Sequence, residues 1–220
     1  MTSYRLVRRR STASEFHALD IPDPAVPELW VHEVSAPALV LGSTQRDEAA
    51  DLNACRRAGV DVVRRRSGGG AVLLVPGEVV WVDVILPSGR TGWADDVHAP
   101  MVWLGEHLAA AFGAAGLDGV VAHRGGMVST EWSRTVCFDG LGPGELTRGV
   151  AKLVGISQRR TRHAARLQAC WYTAYDPSTL VALLHPSARA GLDPASLRPV
   201  ATVAASVAAA VPAQLLAALG

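Results

Sequence analysis

Three consecutive glycines, Gly68-Gly69-Gly70, constrain this chain more than any other feature of its sequence. Glycine adopts positive φ without steric cost and lets backbone N–H groups approach a ligand closely. Arg64-Arg65-Arg66-Ser67 precedes the glycines, and predicted strands at residues 60–64 and 71–75 flank the segment. Two interpretations are open: a turn with solvated arginines, or a loop whose arginines and backbone hold a phosphate or carboxylate. The segment is not a P-loop, because no lysine follows the glycines at P-loop spacing.

The pattern of apolar residues predicts more strands than helices. The strands are predicted at residues 28–34, 38–41, 60–64, 71–75, 79–86, 120–123, 136–138, 153–157 and 166–172. Pro76-Gly77 predicts a hairpin of residues 71–75 and 79–86, with Trp81 and Asp83 on one face of its second strand. Helices are predicted at residues 48–58 and 95–116, and from residue 177 onward in pieces broken around Pro194 and Pro199. This order indicates an α+β fold of mixed β-sheets packed with helices, rather than a βαβ repeat.

Length, composition and charge limit the class of protein. The chain has 220 residues, 49% of them hydrophobic and 19% charged, so it can bury a sizeable core. Its net charge of +1 leaves no basic excess for neutralising phosphates, so we expect no nucleic-acid partner. Residues 199–220 are uncharged, but alanine dominates them and Pro212 interrupts them, which favours a packed helix over a membrane span. Polar residues follow the arginines at positions 8–10, where a secretory segment would be apolar, so we expect a soluble, cytoplasmic protein.

Lys152 is unusual in this composition. Of the 21 basic residues, 20 are arginines and only Lys152 is a lysine, and a GC-rich genome explains that bias most simply. Under such a bias, surface lysines become arginines at little cost, whereas a site that needs a compact, flexible ammonium resists the exchange. Lys152 is therefore a candidate functional residue, unless it survived by chance. Its ammonium either stabilises charge that develops during acyl transfer or is solvated at a strand edge.

The cysteines and histidines do not indicate a metal site. Cys55, Cys137 and Cys170 are far apart and form no CxxC pair, and the seven histidines lack metal-ligand spacing. We therefore expect neither a metal nor a disulfide framework. Cys137 precedes a Gly/Pro-rich loop at residues 139–145. It is either a nucleophile that a nearby cation activates or a buried core residue, which is the commoner role of a single cysteine.

Three motifs in order resemble the lipoate–protein ligase and octanoyltransferase family, whose fold is shared with the biotin protein ligase catalytic domain. Leu41-Gly42-Ser43-Thr44-Gln45 resembles the family's early G-x-x-Q segment. Residues 64–72 are similar to its RRxSGGGAV loop, and residues 152–159 to its K-x-x-G-S-A-Q-R segment, with Ile156-Ser157 in place of Ser-Ala. The only lysine falls on the family's essential lysine. The resemblance covers residues 28–175 and implies a fold like that of the biotin/lipoate protein ligase catalytic domain.

The resemblance implies transfer of a lipoyl or octanoyl group to a lysine of a lipoyl domain, in 2-oxoacid dehydrogenases or the glycine cleavage system. In the ligase branch, ATP activates lipoate as an acyl-adenylate with the help of Mg²⁺. Carried over, Lys152 would bind the acyl carbonyl or phosphate oxygen, and the apolar hairpin after the glycines would form a tunnel for the acyl chain. The resemblance implies these further binding residues: Gln45, Arg65, Ser67, Gly68, Gly69, Gly70, Ala71, Gly155 and Ser157.

A rival branch of the family uses octanoyl-acyl carrier protein and needs no ATP. In one of its subfamilies a cysteine takes the octanoyl group as a thioester. Cys137-Phe138, Glu145-Leu146 and Lys152 fall in the order of that subfamily, and Pro76-Gly77-Glu78 is similar to the P-G-Q of carrier-dependent transferases. The branch therefore stays open, with Cys137 as a candidate nucleophile. Cys170 does not match the branch that has a cysteine near its position, so we expect it in the core.

The chain also departs from the family. Leu74 and Val75 stand where the family has a His and, in the ligases, an Asp after it. The roles of that His and Asp are either lost or supplied by other residues. A third hypothesis is therefore an acyl-binding protein without catalysis. Val150-Ala151 replaces the family's Gly-Arg before the lysine, and the glycine loop of biotin ligases does not occur.

Two expectations concern the organisation of the chain. We expect residues 1–180 to form the catalytic domain and residues 181–220 a helical tail packed on it, without a full accessory domain. The arginines at positions 159, 160, 162 and 166 form either a solvated face or a basic patch for docking an acidic lipoyl domain.

Overall fold

The computed structural model describes residues 3–220, which form two β-sheets and five α-helices. In chain order the strands are β1 (Arg5–Ser11), β2 (Glu28–Val34), β3 (Ala38–Leu41), β4 (Asp61–Arg64), β5 (Val72–Leu74), β6 (Val79–Pro87), β7 (Val120–Ala122), β8 (Leu146–Arg148), β9 (Ala151–Arg160) and β10 (Ala164–Tyr172). The α-helices are α1 (Ala13–Ala18), α2 (Leu52–Arg57), α3 (Ala99–Ala114), α4 (Pro177–Ala182) and α5 (Ala205–Leu219). Mixed sheets packed with helices confirm the α+β prediction.

The two sheets face each other across part of the molecule. The larger sheet has the strand order β1-β2-β6-β10-β9-β8-β7, and the smaller sheet has the order β4-β3-β5. Side chains alternate between the faces of a strand. On β6, Val82 and Val84 therefore point into the core under α3 and α5, whereas Trp81 points toward Val72 and Leu74 of the smaller sheet.

The predicted hairpin is wrong, although both of its segments are strands. β5 pairs with β3 in the smaller sheet, whereas β6 pairs with β2 and β10 in the larger sheet. Pro76-Gly77 is therefore a crossing between sheets. Every residue of β5 is buried, so this strand needs a layer on each side, which an isolated hairpin does not provide. The prediction that Trp81 and Asp83 share a face is confirmed, because Trp81 Nε1 donates to Asp83 Oδ1 at 2.7 Å.

Several other segments also differ from the prediction, among them β8, which was not predicted. Residues 136–138, predicted as extended, lead into a short 3-10 helix, Cys137–Asp139. The helix predicted at 48–58 is divided into a 3-10 turn and α2, because Ala50 forms a β-bridge with Leu184 and Asp51 caps α2. β1 and α1 were not predicted: β1 is an edge strand with four arginines, and α1 has only six residues.

The main core lies between the larger sheet and the pair α3 and α5. Phe112 of α3 meets Trp171 of β10 edge to face, with 5.4 Å between the ring centroids. Val211 and Leu215 of α5 are fully buried in the same core, so the last helix packs on the larger sheet. Within residues 3–220, no helix is both long and apolar enough to cross a membrane.

Candidate active site

A cavity of about 460 Å³ opens between the two sheets, a volume typical of small-molecule sites. Most of the residues that the sequence predicted for binding or catalysis line this cavity. They are Arg65, Ser67, Gly68, Gly69, Cys137, Lys152, Gly155 and Ser157. The other three, Gln45, Gly70 and Ala71, are not part of the lining.

Gly70 and Ala71 fasten the glycine loop to the segment before Cys137. A Cβ on Gly70 would lie 2.6 Å from the backbone nitrogen of Val136, so only glycine fits there. Ala71 N donates to the carbonyl oxygen of Thr135 at 2.8 Å, and Cys137 N donates to the Ala71 carbonyl oxygen at 3.0 Å. The close packing on this side leaves Ser67, Gly68 and Gly69 facing the cavity.

Gln45 organises the neighbouring turn. Its Oε1 accepts from the backbone N of Gly42 at 2.9 Å, and its Nε2 donates to the carbonyl oxygens of Arg134 and Thr135, both at 3.3 Å. Gly42 permits the contact with the glycine loop, because a Cβ there would lie 1.9 Å from the carbonyl oxygen of Gly69. Gln45 thus supports the loop from behind, and its direct contact with a ligand stays a prediction.

Arg65 is buried and supports the loop through carbonyl oxygens. Its Nη2 donates to the carbonyls of Gly68 and Gly70 at 2.7 and 2.8 Å and lies 3.8 Å from Cys137 Sγ. Among residues 3–220, no carboxylate pairs with Arg65. A buried charge without a counterion is costly, so this guanidinium favours an anionic ligand at the cavity wall.

Lys152 is 1% exposed, and its ammonium has three hydrogen-bond partners. Nζ lies 2.6 Å from Glu145 Oε2 and donates to the carbonyl oxygens of Cys137 at 3.1 Å and Gly140 at 2.9 Å. The ring of Phe138 lies 4.9 Å from Nζ. The interpretation of a solvated lysine at a strand edge is therefore wrong. Because an ammonium has three donors, a ligand oxygen has to replace one of these partners to bind Lys152.

Glu145 is a central residue of the site to which the sequence reasoning assigned no role. Its Oε2 accepts from the backbone N of Gly142 at 2.6 Å as well as from Lys152, and its Oε1 accepts from the backbone N of Ile156 at 3.0 Å. A buried ammonium needs an acidic partner. Once Lys152 was predicted to lie in a cleft, an acidic partner for it should have been sought nearby in the sequence, and Glu145 was a candidate.

The two cysteines at the cavity have different environments. Cys137 is partly exposed, and its Sγ lies close to the Arg65 guanidinium, which is the cation that a thiolate nucleophile needs. Burial raises the pKa of Cys170 to about 12, so this thiol is protonated at neutral pH. Cys137 is therefore the better nucleophile candidate, and Cys170 belongs to the wall.

The part of the cavity between the sheets is apolar, and we call it the apolar lobe. Val40, Val72 and Leu74 face it from the smaller sheet, and Trp81 faces it from the larger sheet. Leu74, at the position of the family's histidine, thus contributes apolar surface. The apolar lobe suits the predicted acyl tunnel, but two sheets enclose it instead of one hairpin.

A charged cluster lies on the larger sheet beside the apolar lobe. Asp83 Oδ2 accepts from His32 Nε2 at 2.8 Å and from Arg166 Nε at 2.7 Å. Burial alone would raise the pKa of Asp83, but His32 and Arg166 outweigh it and lower the pKa to about 2. Arg166 also donates to the carbonyls of Leu19 and Phe16 and thereby holds α1 on the sheet. Both interpretations of Arg166, a solvated residue or part of a docking patch, are therefore wrong, since it is 2% exposed.

His17, on α1, also lines the cavity. Its ring centroid lies 4.7 Å from that of Trp81. Burial lowers the pKa of His17 to about 4, with Arg166 and Arg65 adding to the effect and Asp83 opposing it, so the ring is neutral at neutral pH. Sequence reasoning missed His17 because one histidine in a short helix forms no pattern.

The charges at the cavity favour an anionic ligand. Its lining contains the cations Arg65, Lys152 and Arg160 against a single carboxylate, Glu145. Ser67 Oγ is buried there without a partner and adds a hydrogen-bonding group. These groups fit a phosphate or a carboxylate. Glu145 offers no free oxygen to Mg²⁺, because both of its carboxylate oxygens already accept hydrogen bonds, so the phosphates of the ligand and water would have to hold such an ion.

The fold and the cavity define the class of protein. The chain belongs to the lipoyl protein ligase A/B catalytic domain family, whose model matches residues 15–214. Its members are enzymes that transfer lipoyl groups to lysine. The resemblance that the three motifs carry is therefore confirmed.

Solved structures of lipoate protein ligases share the fold of the chain. The bipartite lipoate protein ligase of Thermoplasma acidophilum, studied with its E2 lipoyl domain, is 18% identical with a TM-score of 0.72, over 100% of this chain and 84% of that one. Lipoate-protein ligase A bound with ATP is 19% identical with a TM-score of 0.71, over 99% and 86%. Protein Ta0514 of T. acidophilum with bound lipoic acid is 18% identical with a TM-score of 0.69, also over 99% and 86%. At these identities the similarity establishes the fold. No curated protein sequence matches the chain.

Proposed function

We propose that this chain is a lipoate–protein ligase-like enzyme that attaches a lipoyl, or octanoyl, group to a lysine of a lipoyl-domain protein through an acyl-adenylate. The observation that carries the proposal is the pairing of two environments in one cavity. An apolar lobe suits an acyl chain, and three cations with one carboxylate suit the charged end of an activated acid. The structural neighbours with bound ATP and bound lipoic acid support ATP and lipoate as substrates.

In this proposal the chain's own residues position an anion. Arg65, Ser67 and the N–H groups of Gly68 and Gly69 hold the phosphate of ATP and then of the adenylate. ATP activates the carboxyl group, and pyrophosphate leaves. Lys152 exchanges a backbone carbonyl for an oxygen of the ligand and stabilises the charge that develops when the acceptor lysine attacks and AMP leaves. Such stabilisation is stronger in a buried site than in water.

We propose lipoyl-domain proteins of 2-oxoacid dehydrogenases or of the glycine cleavage system as acceptors. The neighbouring bipartite ligase, studied with its E2 lipoyl domain, supports this class of partner. We also keep the division into a catalytic domain at 1–180 and a tail at 181–220 as part of the proposal. The prediction of a helical tail is wrong for most of residues 183–204, where the structure has only the 3-10 helix Pro194–Ser196. The packing of α5 against α3 supports a tail that lies on the domain.

The second candidate is an ATP-independent octanoyltransferase that uses octanoyl-acyl carrier protein. The position of Cys137 favours it, because Sγ faces the cavity 3.8 Å from the Arg65 guanidinium. In that reaction Cys137 would attack the octanoyl thioester and release the thiol of the carrier protein. The acceptor lysine would then attack the Cys137 thioester and release the cysteine, with Lys152 at the carbonyl oxygen.

Intact-mass analysis of a lipoyl domain tests these candidates. One arm contains the full chain with lipoate, ATP and Mg²⁺, and the other contains octanoyl-acyl carrier protein without ATP. We expect modification in the first arm, retained in Cys137→Ser. Modification in the second arm alone, lost in Cys137→Ser together with a hydroxylamine-sensitive acyl-protein, would establish the transferase. If folded protein binds lipoate or octanoate without product in either arm, a non-catalytic binding protein is the remaining reading.

A further inference from the structure

Several buried polar atoms without a partner face the cavity. Within residues 3–220 they include Ser67 Oγ, Gln158 Oε1 and Gln168 Nε2, all on side chains that line it. An unpaired buried donor or acceptor is costly, so its presence at a cavity indicates a ligand that pairs with it. Ser67 belongs to the anion-binding loop already described. Gln168 is different, because it lies on the apolar side.

Gln168 faces the apolar lobe from β10. Its Cα pairs with Asp83 on β6 and with Ser157 on β9. Because side chains alternate along a strand, Gln168 shares its face with Cys170 and, across the sheet, with Trp81. The amide makes no hydrogen bond within the part of the chain that the structure describes, although the charged Asp83 cluster lies next to it. The amide nitrogen is thus a buried donor that no group among residues 3–220 satisfies.

The distance between Gln168 and Lys152 places Gln168 beside the end of an acyl chain that is farther from its carboxyl group. Gly155 lies against Phe138 and Glu145, the side chains around the Lys152 ammonium, and it pairs with Cys170. Gln168 is two residues further along the same strand, which corresponds to about 7 Å. A carboxyl group bound at Lys152 therefore brings the far half of an eight-carbon chain next to Gln168.

His17 adds a second polar group at the same end. Its ring packs on Trp81, is neutral at neutral pH and makes no side-chain hydrogen bond among residues 3–220. Within residues 3–220, neither the Gln168 amide nitrogen nor the His17 imidazole has a hydrogen-bond partner, and both residues line the cavity. A purely hydrocarbon ligand would leave the buried Gln168 amide nitrogen unpaired.

We propose that Gln168, assisted by His17, makes this cavity selective for acyl groups that carry a hydrogen-bond acceptor in the far half of the chain. The inference rests on the proposed function and deepens it. A dithiolane sulfur accepts a hydrogen bond weakly and an oxygen accepts one more strongly, whereas octanoate offers nothing. We therefore expect lipoate to bind about 10-fold more tightly than octanoate, which corresponds to the cost of one unpaired buried group.

Calorimetric titration of the full chain with lipoate, octanoate and ω-hydroxyoctanoate tests the inference and separates a sulfur acceptor from an oxygen acceptor. We expect Gln168→Leu to tighten octanoate binding and to remove most of the preference for the other two acids. Gln168→Met keeps the length of the side chain but removes the amide donor. It should lose the same preference and serves as the test if the leucine variant does not fold. We expect His17→Leu to reduce the preference by a smaller factor.

Gln214→Leu is the matched control, because it makes the same exchange on α5, outside the cavity lining. Its ratio of lipoate to octanoate affinity should equal that of the unmodified chain. Equal binding of all three acids, or an unchanged ratio in both Gln168 variants, would overturn the inference and leave the proposed function standing. If the folded chain binds none of the acids, the proposed function itself fails and the inference falls with it.

Discussion

Two buried ion pairs, Lys152–Glu145 and Arg166–Asp83, are almost equally buried, but only the first can be reached by a ligand in the cavity. The side chains of Lys152 and Glu145 are 1% and 6% exposed, and those of Arg166 and Asp83 are 2% and 0% exposed. Lys152 and Glu145 line the cavity, whereas Asp83 and Arg166 do not. Arg166 donates its other hydrogen bonds to backbone carbonyls in and after α1, whereas Lys152 donates to backbone carbonyls of the loop around Cys137. A buried charge is thus structural when protein groups enclose it completely. It is available for chemistry when it lines a cavity in which a ligand can replace one of its partners.

The largest effect expected from this difference is on stability at the enclosed ion pair. Asp83→Asn leaves Arg166 buried without its counterion, and removing one partner of a buried pair costs about 3–5 kcal/mol. Urea denaturation measures the free energy of unfolding. Asp20→Asn is the matched control, since Asp20 also pairs with two arginines but is 75% exposed, and we expect a loss of about 0–1 kcal/mol. Equal losses in the two variants would contradict the comparison.

The cavity group should respond in activity. We expect Lys152→Arg to slow acyl transfer to a lipoyl domain by about 100- to 1000-fold, because a planar guanidinium does not reproduce the three contacts of the ammonium. The initial rate of mass change of the acceptor measures this. Arg56→Lys, the reverse exchange at an exposed position of α2, should leave the rate unchanged. An undiminished rate in Lys152→Arg would refute the role of the lysine.

Acid should act first on His17, which lines the cavity. The pKa of His17 is about 4 in the folded chain against 6.5 unperturbed, so the stability associated with its neutral ring is complete above pH 6.5 and is lost as the pH falls toward 4. The loss amounts to about 3 kcal/mol. For Asp83, with a pKa of about 2 against 3.8, the loss comes only below pH 4. Unfolding free energies from pH 7 to 3 should therefore show a slope between pH 6.5 and 4 that His17→Phe flattens; an unchanged slope would show that other groups cause it.

Local chemistry allowed much of the site to be predicted. Glycines are required where a Cβ would meet backbone, and Gly70 and Gly42 meet this condition in the structure. A single lysine in an arginine-rich chain indicated that Lys152 needs an ammonium, and the structure places that ammonium at the cavity among three acceptors. Long apolar runs also predicted most strands, including β2 and β3 at their observed bounds.

What the sequence alone determined is therefore the backbone of the loop, the identity of the lysine and the α+β class, because these depend on neighbouring residues and on residue type. The tertiary structure decided which strands pair, and it separated β5 from β6 because β5 needed a buried layer on each face. It also decided that His17 and Gln168 face one lobe and that Arg166 is sealed beneath α1. Such placements depend on contacts between distant segments, whose free energies are set by burial and pairing and leave no local pattern in the chain.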